Sequence, residues 1–164
     1  MELVVNKLTF VELPKFLRLG YWFEKTLCEL VLELPDLSQK PGIIELNFVD
    51  SAIIRKLNRR YRGMDNVTDV LSFSFLGQGS FPGDDLVGQI FIDSNMARKQ
   101  AAEHKVSMAA EIQYLFVHGL LHVFGFDHET ESDFKRMSGF HARIMPDPML
   151  EAVANQIRRD VFGG

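Results

Sequence analysis

His118-Gly119-Leu120-Leu121-His122-Val123-Phe124-Gly125-Phe126-Asp127-His128 spells H-x-x-x-H-x-x-G-x-x-H. The residues before it, Ile112 to Val117, are almost all apolar and lack Gly and Pro, so the run predicts a buried helix. Residues four apart share one helical face, one turn apart. His118 and His122 therefore present two imidazoles side by side, as a helix does when it offers two ligands to one zinc ion. Gly125 suits the end of that helix, because it takes a positive φ at no steric cost. The chain then turns, and His128 can return to the same point as a third ligand. Three neutral nitrogens leave a fourth position open to water, the arrangement of a catalytic zinc site.

A lone histidine in an apolar helix is most often a hydrogen-bonded core residue. Two of them, four apart, fit that description poorly, because each buried ring left without a partner costs roughly 1–3 kcal/mol. One metal ion satisfies both. The position after the first histidine also carries information. Zinc peptidases of this spacing place a glutamate there as general base, whereas this chain has Gly119.

The string H-G-x-L-H-x-x-G-x-D-H resembles the signature of the YbeY family of bacterial endoribonucleases. A second block matches upstream, Leu57-Asn58-Arg59-Arg60-Tyr61-Arg62-Gly63-Met64-Asp65, then Thr68-Asp69-Val70-Leu71-Ser72-Phe73. Together the blocks span roughly residues 43–145. The chain departs from the family pattern at Ser74 and Val67, where proline is common, and at Gly88-Gln89, where a Gly-Asp pair is common. None of these removes a ligand. The resemblance implies a metal-dependent endoribonuclease that prefers single strands and acts in ribosomal RNA maturation and ribosome quality control. It implies one Zn2+ or similar divalent ion on His118, His122 and His128, with Arg62 as the functional arginine. It also implies ribosomal RNA, the ribosome or ribosomal proteins as partners.

The 164 residues suit a single metallo-hydrolase domain over 1–164, with the segment 147–164 peripheral. No apolar span is long enough for a membrane helix, and the N-terminus does not read as a secretory signal. The single cysteine, Cys28, fits a reducing cytoplasm, and its helical pattern makes it a small core residue. The net charge of -4 excludes bulk attraction as the means of holding RNA. A local patch is needed, and Arg55, Lys56, Arg59, Arg60 and Arg62 fall within eight residues. Arg55, Lys56 and Arg59 are candidate RNA contacts. The same residues also describe the solvated face of an amphipathic helix whose buried side is Ile53, Ile54, Leu57 and Tyr61. Both descriptions can hold, since phosphate contacts come from exposed cations.

The remaining elements follow from periodicity and turn chemistry. Leu3 to Val5 reads as a strand, and Pro14 opens a helix with a broad apolar face. Ile44, Leu46 and Phe48 alternate with Glu45 and Asn47 as a half-buried strand. Asp50 or Ser51 caps the basic helix, which ends near Tyr61 or Arg62 with Gly63 just after it. Thr68 to Phe75 alternates as a strand at the edge or floor of a cleft, and a Gly/Pro loop over 77–85 leads to a strand from Leu86 to Ile92. Ser94 or Asn95 caps a helix to about His104, Ser107 caps the histidine helix, and Thr130 with Asp133 caps another that ends before Pro146. A last amphipathic segment runs from about Met149 to Val161. The expected class is α+β, with a mixed sheet of about four strands and five or six helices. His104 and His141 read as surface residues. Asp127 adjoins His128 and is a candidate for orienting a ligand ring, although a turn role explains it equally well.

The chemistry expected of such a site is metal-assisted hydrolysis. A divalent ion there would bring its water to a pKa of about 7, and Arg62 would stabilise charge on phosphate oxygens. Two other readings stand beside it. One is a zinc peptidase with a displaced base. The other is a ribosome-associated module whose metal only staples the fold.

Overall fold

The computed structural model describes residues 2–7, 19–32, 42–77, 86–127 and 130–144. Among them are four strands, β1 (Glu2–Lys7), β2 (Ile43–Val49), β3 (Val70–Ser74) and β4 (Leu86–Asp93). Five helices accompany them: α1 (Leu19–Leu32), α2 (Ser51–Arg62), α3 (Ser94–His104), α4 (Met108–Val123) and α5 (Glu131–Ile144). The strands form one sheet in the order β1-β2-β4-β3. β1, β2 and β4 run parallel, and β3 runs antiparallel to β4. The mixed sheet expected from the sequence is therefore present, with β3 at its edge. The last segment, from Met149 to Val161, and the opening of a helix at Pro14 lie outside the described residues.

The sheet is covered on both faces. One face carries Ile44, Leu46, Phe48, Ile90 and Ile92 against Phe23, Leu27 and Leu30 of α1 and the apolar side of α4. The other carries Val49, Leu71 and Phe91 against Ile54 of α2, with Ile53, Leu57 and Phe73 at its margin. Two covered faces explain why β2 does not alternate as expected. Asn47 is buried, and its Nδ2 donates to the Ile90 carbonyl at 3.4 Å. A central strand is buried on both sides, which a simple in-out pattern does not anticipate.

Local chemistry sets the helix ends. Asp50 caps α2 by accepting from the Ile53 N–H at 2.9 Å, and Gly63 closes it at φ 70°. Ser107 caps α4 through the Ala110 N–H at 3.1 Å. α3 is capped one residue earlier than expected. Asp93, the last residue of β4, accepts from the N–H groups of Asn95 and Met96. The chain passes from strand to helix without a loop, so the capping residue is also a strand residue and is fully buried. Cys28 is exposed on α1, so the core position given to it is wrong.

Candidate metal centre at the sheet edge

α4 is a nearly all-apolar helix held between the sheet and α3. Its histidines are partly buried towards its C-terminal end. The rings of His118 and His122 stand 4.7 Å apart and nearly perpendicular, at 81°. Their Nε2 atoms face each other at 3.2 Å. Two nitrogens bound tetrahedrally to one zinc at about 2.0–2.1 Å stand roughly 3.3 Å apart, so the pair already has the bite of a single ion. The donor set, two imidazoles on successive turns, fits zinc and similar divalent ions.

The end of α4 shows how the chain returns. The Gly125 N–H donates to the His122 carbonyl at 3.1 Å and the Phe126 N–H to the Leu121 carbonyl at 3.0 Å. Gly125 sits at φ 85°, and Phe126 is buried. This paired bonding is the Schellman ending, which requires a left-handed residue where the glycine stands. It turns the chain just before Asp127, which is exposed. His128, the expected third ligand, lies outside the described residues.

Gly119 lies on the sheet side of α4. A Cβ built there would stand 2.8 Å from Ile90 Cγ2 and 3.2 Å from Val70 Cγ2. The glycine lets the helix approach the sheet, and there is no room for the carboxylate that a peptidase carries at this position. β3 is tied to the same helix by Ser74, whose Oγ donates to the Val123 carbonyl at 2.7 Å.

Arg62 reaches this strand from the opposite face. The Phe75 N–H bonds the Val87 carbonyl and the Asp93 N–H the Asp69 carbonyl, so the odd-numbered residues of this stretch point their backbone groups at β4. Val70, Ser72 and Ser74 therefore turn theirs outward, along the sheet's edge. The Arg62 guanidinium donates to the Ser72 carbonyl at 3.1 Å and is otherwise exposed. Arg62 thus meets the outer edge of β3, the strand on which the histidine helix packs.

The rest of the upstream block shapes the strand. Asp69 accepts from the Val70 N–H at 2.7 Å, from Thr68 Oγ1 at 3.2 Å and from Gln100 Nε2 at 2.9 Å, which anchors the start of β3 to α3. Arg55 makes a two-pronged ion pair with Asp65, at 2.9 and 3.1 Å. That arginine holds the Asp65 carboxyl below its usual range, with help from Arg59. Lys56, Arg59 and Arg60 are exposed along the same helix.

Two histidines read as surface residues are not. His104 is half-buried and its Nδ1 meets Glu111 Oε2 at 2.8 Å. Burial pushes the Glu111 carboxyl up, an effect the His104 contact opposes. His141 is almost wholly enclosed, 3% exposed. Its ring lies against Tyr114 at 4.7 Å and near His118 at 5.9 Å, with all three rings within 29° of parallel. Burial, with a smaller contribution from the charge of His122, lowers its pKa to about 3. A helical count finds it: Phe134, Met137, Phe140 and His141 form the buried stripe of α5. Spacing to the histidine motif has no bearing on a residue brought in by a separate helix.

Comparison with known proteins identifies the family and the fold. Residues 15–147 match the family described as Endoribonuclease YbeY. The chain is similar to Endoribonuclease YbeY of Desulforamulus reducens, 46% identical over 94 residues, which cover 55% of this chain and 61% of that protein. It is also similar to that of Geobacillus thermodenitrificans, 38% identical over 130 residues, covering 74% of this chain and 83% of the relative. The solution structure of TM1509 from Thermotoga maritima shares the fold, with a TM-score of 0.56 at 23% identity over 98% of this chain and 93% of that one. No helix among the described residues is long and apolar enough to cross a membrane. By its family match over residues 15–147, the chain belongs to the YbeY family of endoribonucleases.

Proposed function

We propose that the chain cleaves single-stranded RNA with a divalent metal ion, zinc being the best fit, held by His118, His122 and His128. The work is the maturation of ribosomal RNA and ribosome quality control, and the partners are ribosomal RNA, the ribosome or ribosomal proteins. The observation that carries this reading is the 3.2 Å separation of the His118 and His122 Nε2 atoms.

An ion bound there supplies Lewis acidity, which acidifies water and polarises a phosphoryl oxygen. The protein's own residues do the rest. Arg62 is permanently charged and presents a planar fork suited to phosphate, so it binds the scissile phosphate and stabilises charge gained on its oxygens. Its bond to the Ser72 carbonyl fixes the guanidinium at the strand edge before substrate arrives. Lys56 and Arg59 meet the phosphates further along the strand, and Arg55 does so from its pairing with Asp65. Asp127 orients a ligand ring. Gly119 leaves no carboxylate beside the first histidine, which disfavours peptide hydrolysis.

Elemental analysis and RNA cleavage measured on the same preparations test this. His118→Ala and His122→Ala should each lose both metal and cleavage. A variant that keeps full cleavage without metal would refute the reading. Activity on unstructured polypeptide but not on RNA would return it to a peptidase.

A further inference from the structure

Among the described residues, four large apolar side chains are exposed: Leu32, Tyr61, Met64 and Val67. Three of them fall within seven residues at the C-terminal end of the basic helix. The sequence assigns Tyr61 to the buried side of that helix, yet it is 58% exposed. A helix end that only needs solvation gains nothing from an exposed phenol ring, and Met64 beside it is 52% exposed.

The ring is nonetheless held. Tyr61 packs edge-to-face on Phe73 at 5.2 Å and 68°, and Phe73 packs in the same way on the buried Phe91 at 6.0 Å and 79°. Three aromatic rings thus run from the core to the surface and fix the outermost one. The Arg60 guanidinium lies 5.4 Å from the centre of the Tyr61 ring. Arg62, the next residue, is anchored on Ser72 at the strand edge. The chain as a whole carries a net charge of -4, so this cluster of cations is a local feature.

We propose that Tyr61 is a stacking platform for an unpaired base of the RNA substrate, with the phosphates on either side of that base held by Arg60 and Arg62. Surfaces that take single-stranded nucleic acid pair cations, which track the phosphates, with exposed aromatic faces on which bases stack. A pre-fixed ring loses little conformational entropy when the base arrives. The cations favour a polyanion over an apolar protein partner. The platform accepts bases only in unpaired strands, because a duplex buries their faces. The inference rests on RNA being the substrate of the histidine site.

The test is binding rather than cleavage. The full-length protein as purified is titrated against a labelled single strand with 2′-O-methyl sugars, and against the same strand with abasic positions. Gel analysis confirms that the strands stay intact. Tyr61→Ala and Tyr61→Leu should each weaken binding of the intact strand by about five-fold or more. Tyr61→Phe should bind within two-fold of the wild type. The abasic strand should bind weakly and equally to all four proteins. Thermal melts that match the wild type confirm that the variants are folded, as expected for an exposed ring. If Tyr61→Ala binds the intact strand as the wild type does, the patch belongs to a protein partner and the proposal is overturned. An equal loss on intact and abasic strands also overturns it, since the effect then lies in charge or folding. Cleavage by wild type alongside either result leaves the histidine site as RNA hydrolase in place. A wild type that neither binds nor cleaves any single strand overturns both.

Discussion

The ring of His141 lies face to face with that of Tyr114, 4.7 Å between centroids and 23° between planes, with neither ring nitrogen hydrogen-bonded among the described residues. α5 thereby brings a histidine against the ligand-bearing side of α4 without any spacing in sequence to announce it.

His141 gives a pH prediction. Its pKa is lowered in the folded state to about 3 from the usual 6.5. Below about pH 6.5 the unfolded chain takes up a proton that the folded chain refuses. The unfolded state then binds more protons, so stability falls on acidification across the window from about 6.5 towards 3. The slope from this one group approaches roughly 1.4 kcal/mol per pH unit. In metal-free protein, His141→Phe should flatten the fall in melting temperature between pH 7 and pH 5. An unchanged slope would remove His141 as its source.

Arg62→Ala should keep the metal content of the wild type and lose most RNA turnover, at least about a hundred-fold if the guanidinium stabilises transition-state charge. Its bond to the Ser72 carbonyl is exposed, so the stability cost should stay within about 1 kcal/mol. Arg62→Lys restores charge but not the fork, and should recover only part of the rate. Single-turnover cleavage and denaturant melts separate these effects.

Gly119→Ala asks Ile90 to give way, because the new Cβ stands 2.8 Å from its Cγ2. A destabilisation of about 1–3 kcal/mol is expected, with the helix displaced from the sheet. Urea unfolding measures it. A substitution that leaves stability unchanged would show that the approach is looser than the distance implies.

Ser107→Ala removes the side chain that accepts from the Ala110 N–H at the start of the histidine helix. A loss of about 1 kcal/mol is expected, with metal content unchanged. Chemical denaturation with parallel elemental analysis checks both halves.

Much of the arrangement could be read from local chemistry. Gly63 and Gly125 mark turns whose positive φ the chain needs, and Asp50 and Ser107 are caps where the sequence puts them. The histidine pair follows from helical period alone. What escaped depends on contacts between distant segments. Asn47 is buried because a helix covers each face of its strand, and no residue near it in sequence says so. His104 is drawn in by Glu111, a buried partner on the next helix. Apolar pattern assigns Cys28 and Tyr61 to the core, yet both are exposed. Such patterns specify a face but not how far a neighbouring element extends to cover it.

The missing side chain at position 119 also bears on redesign. An engineer who wished to graft amide-bond cleavage onto this scaffold could not simply write glutamate beside the first histidine. That carboxylate would have to displace Ile90 and Val70 and lift the helix, with both its imidazoles, away from the sheet that supports it. The tight seat of Gly119 on the sheet therefore commits the scaffold to chemistry that uses no base at that place.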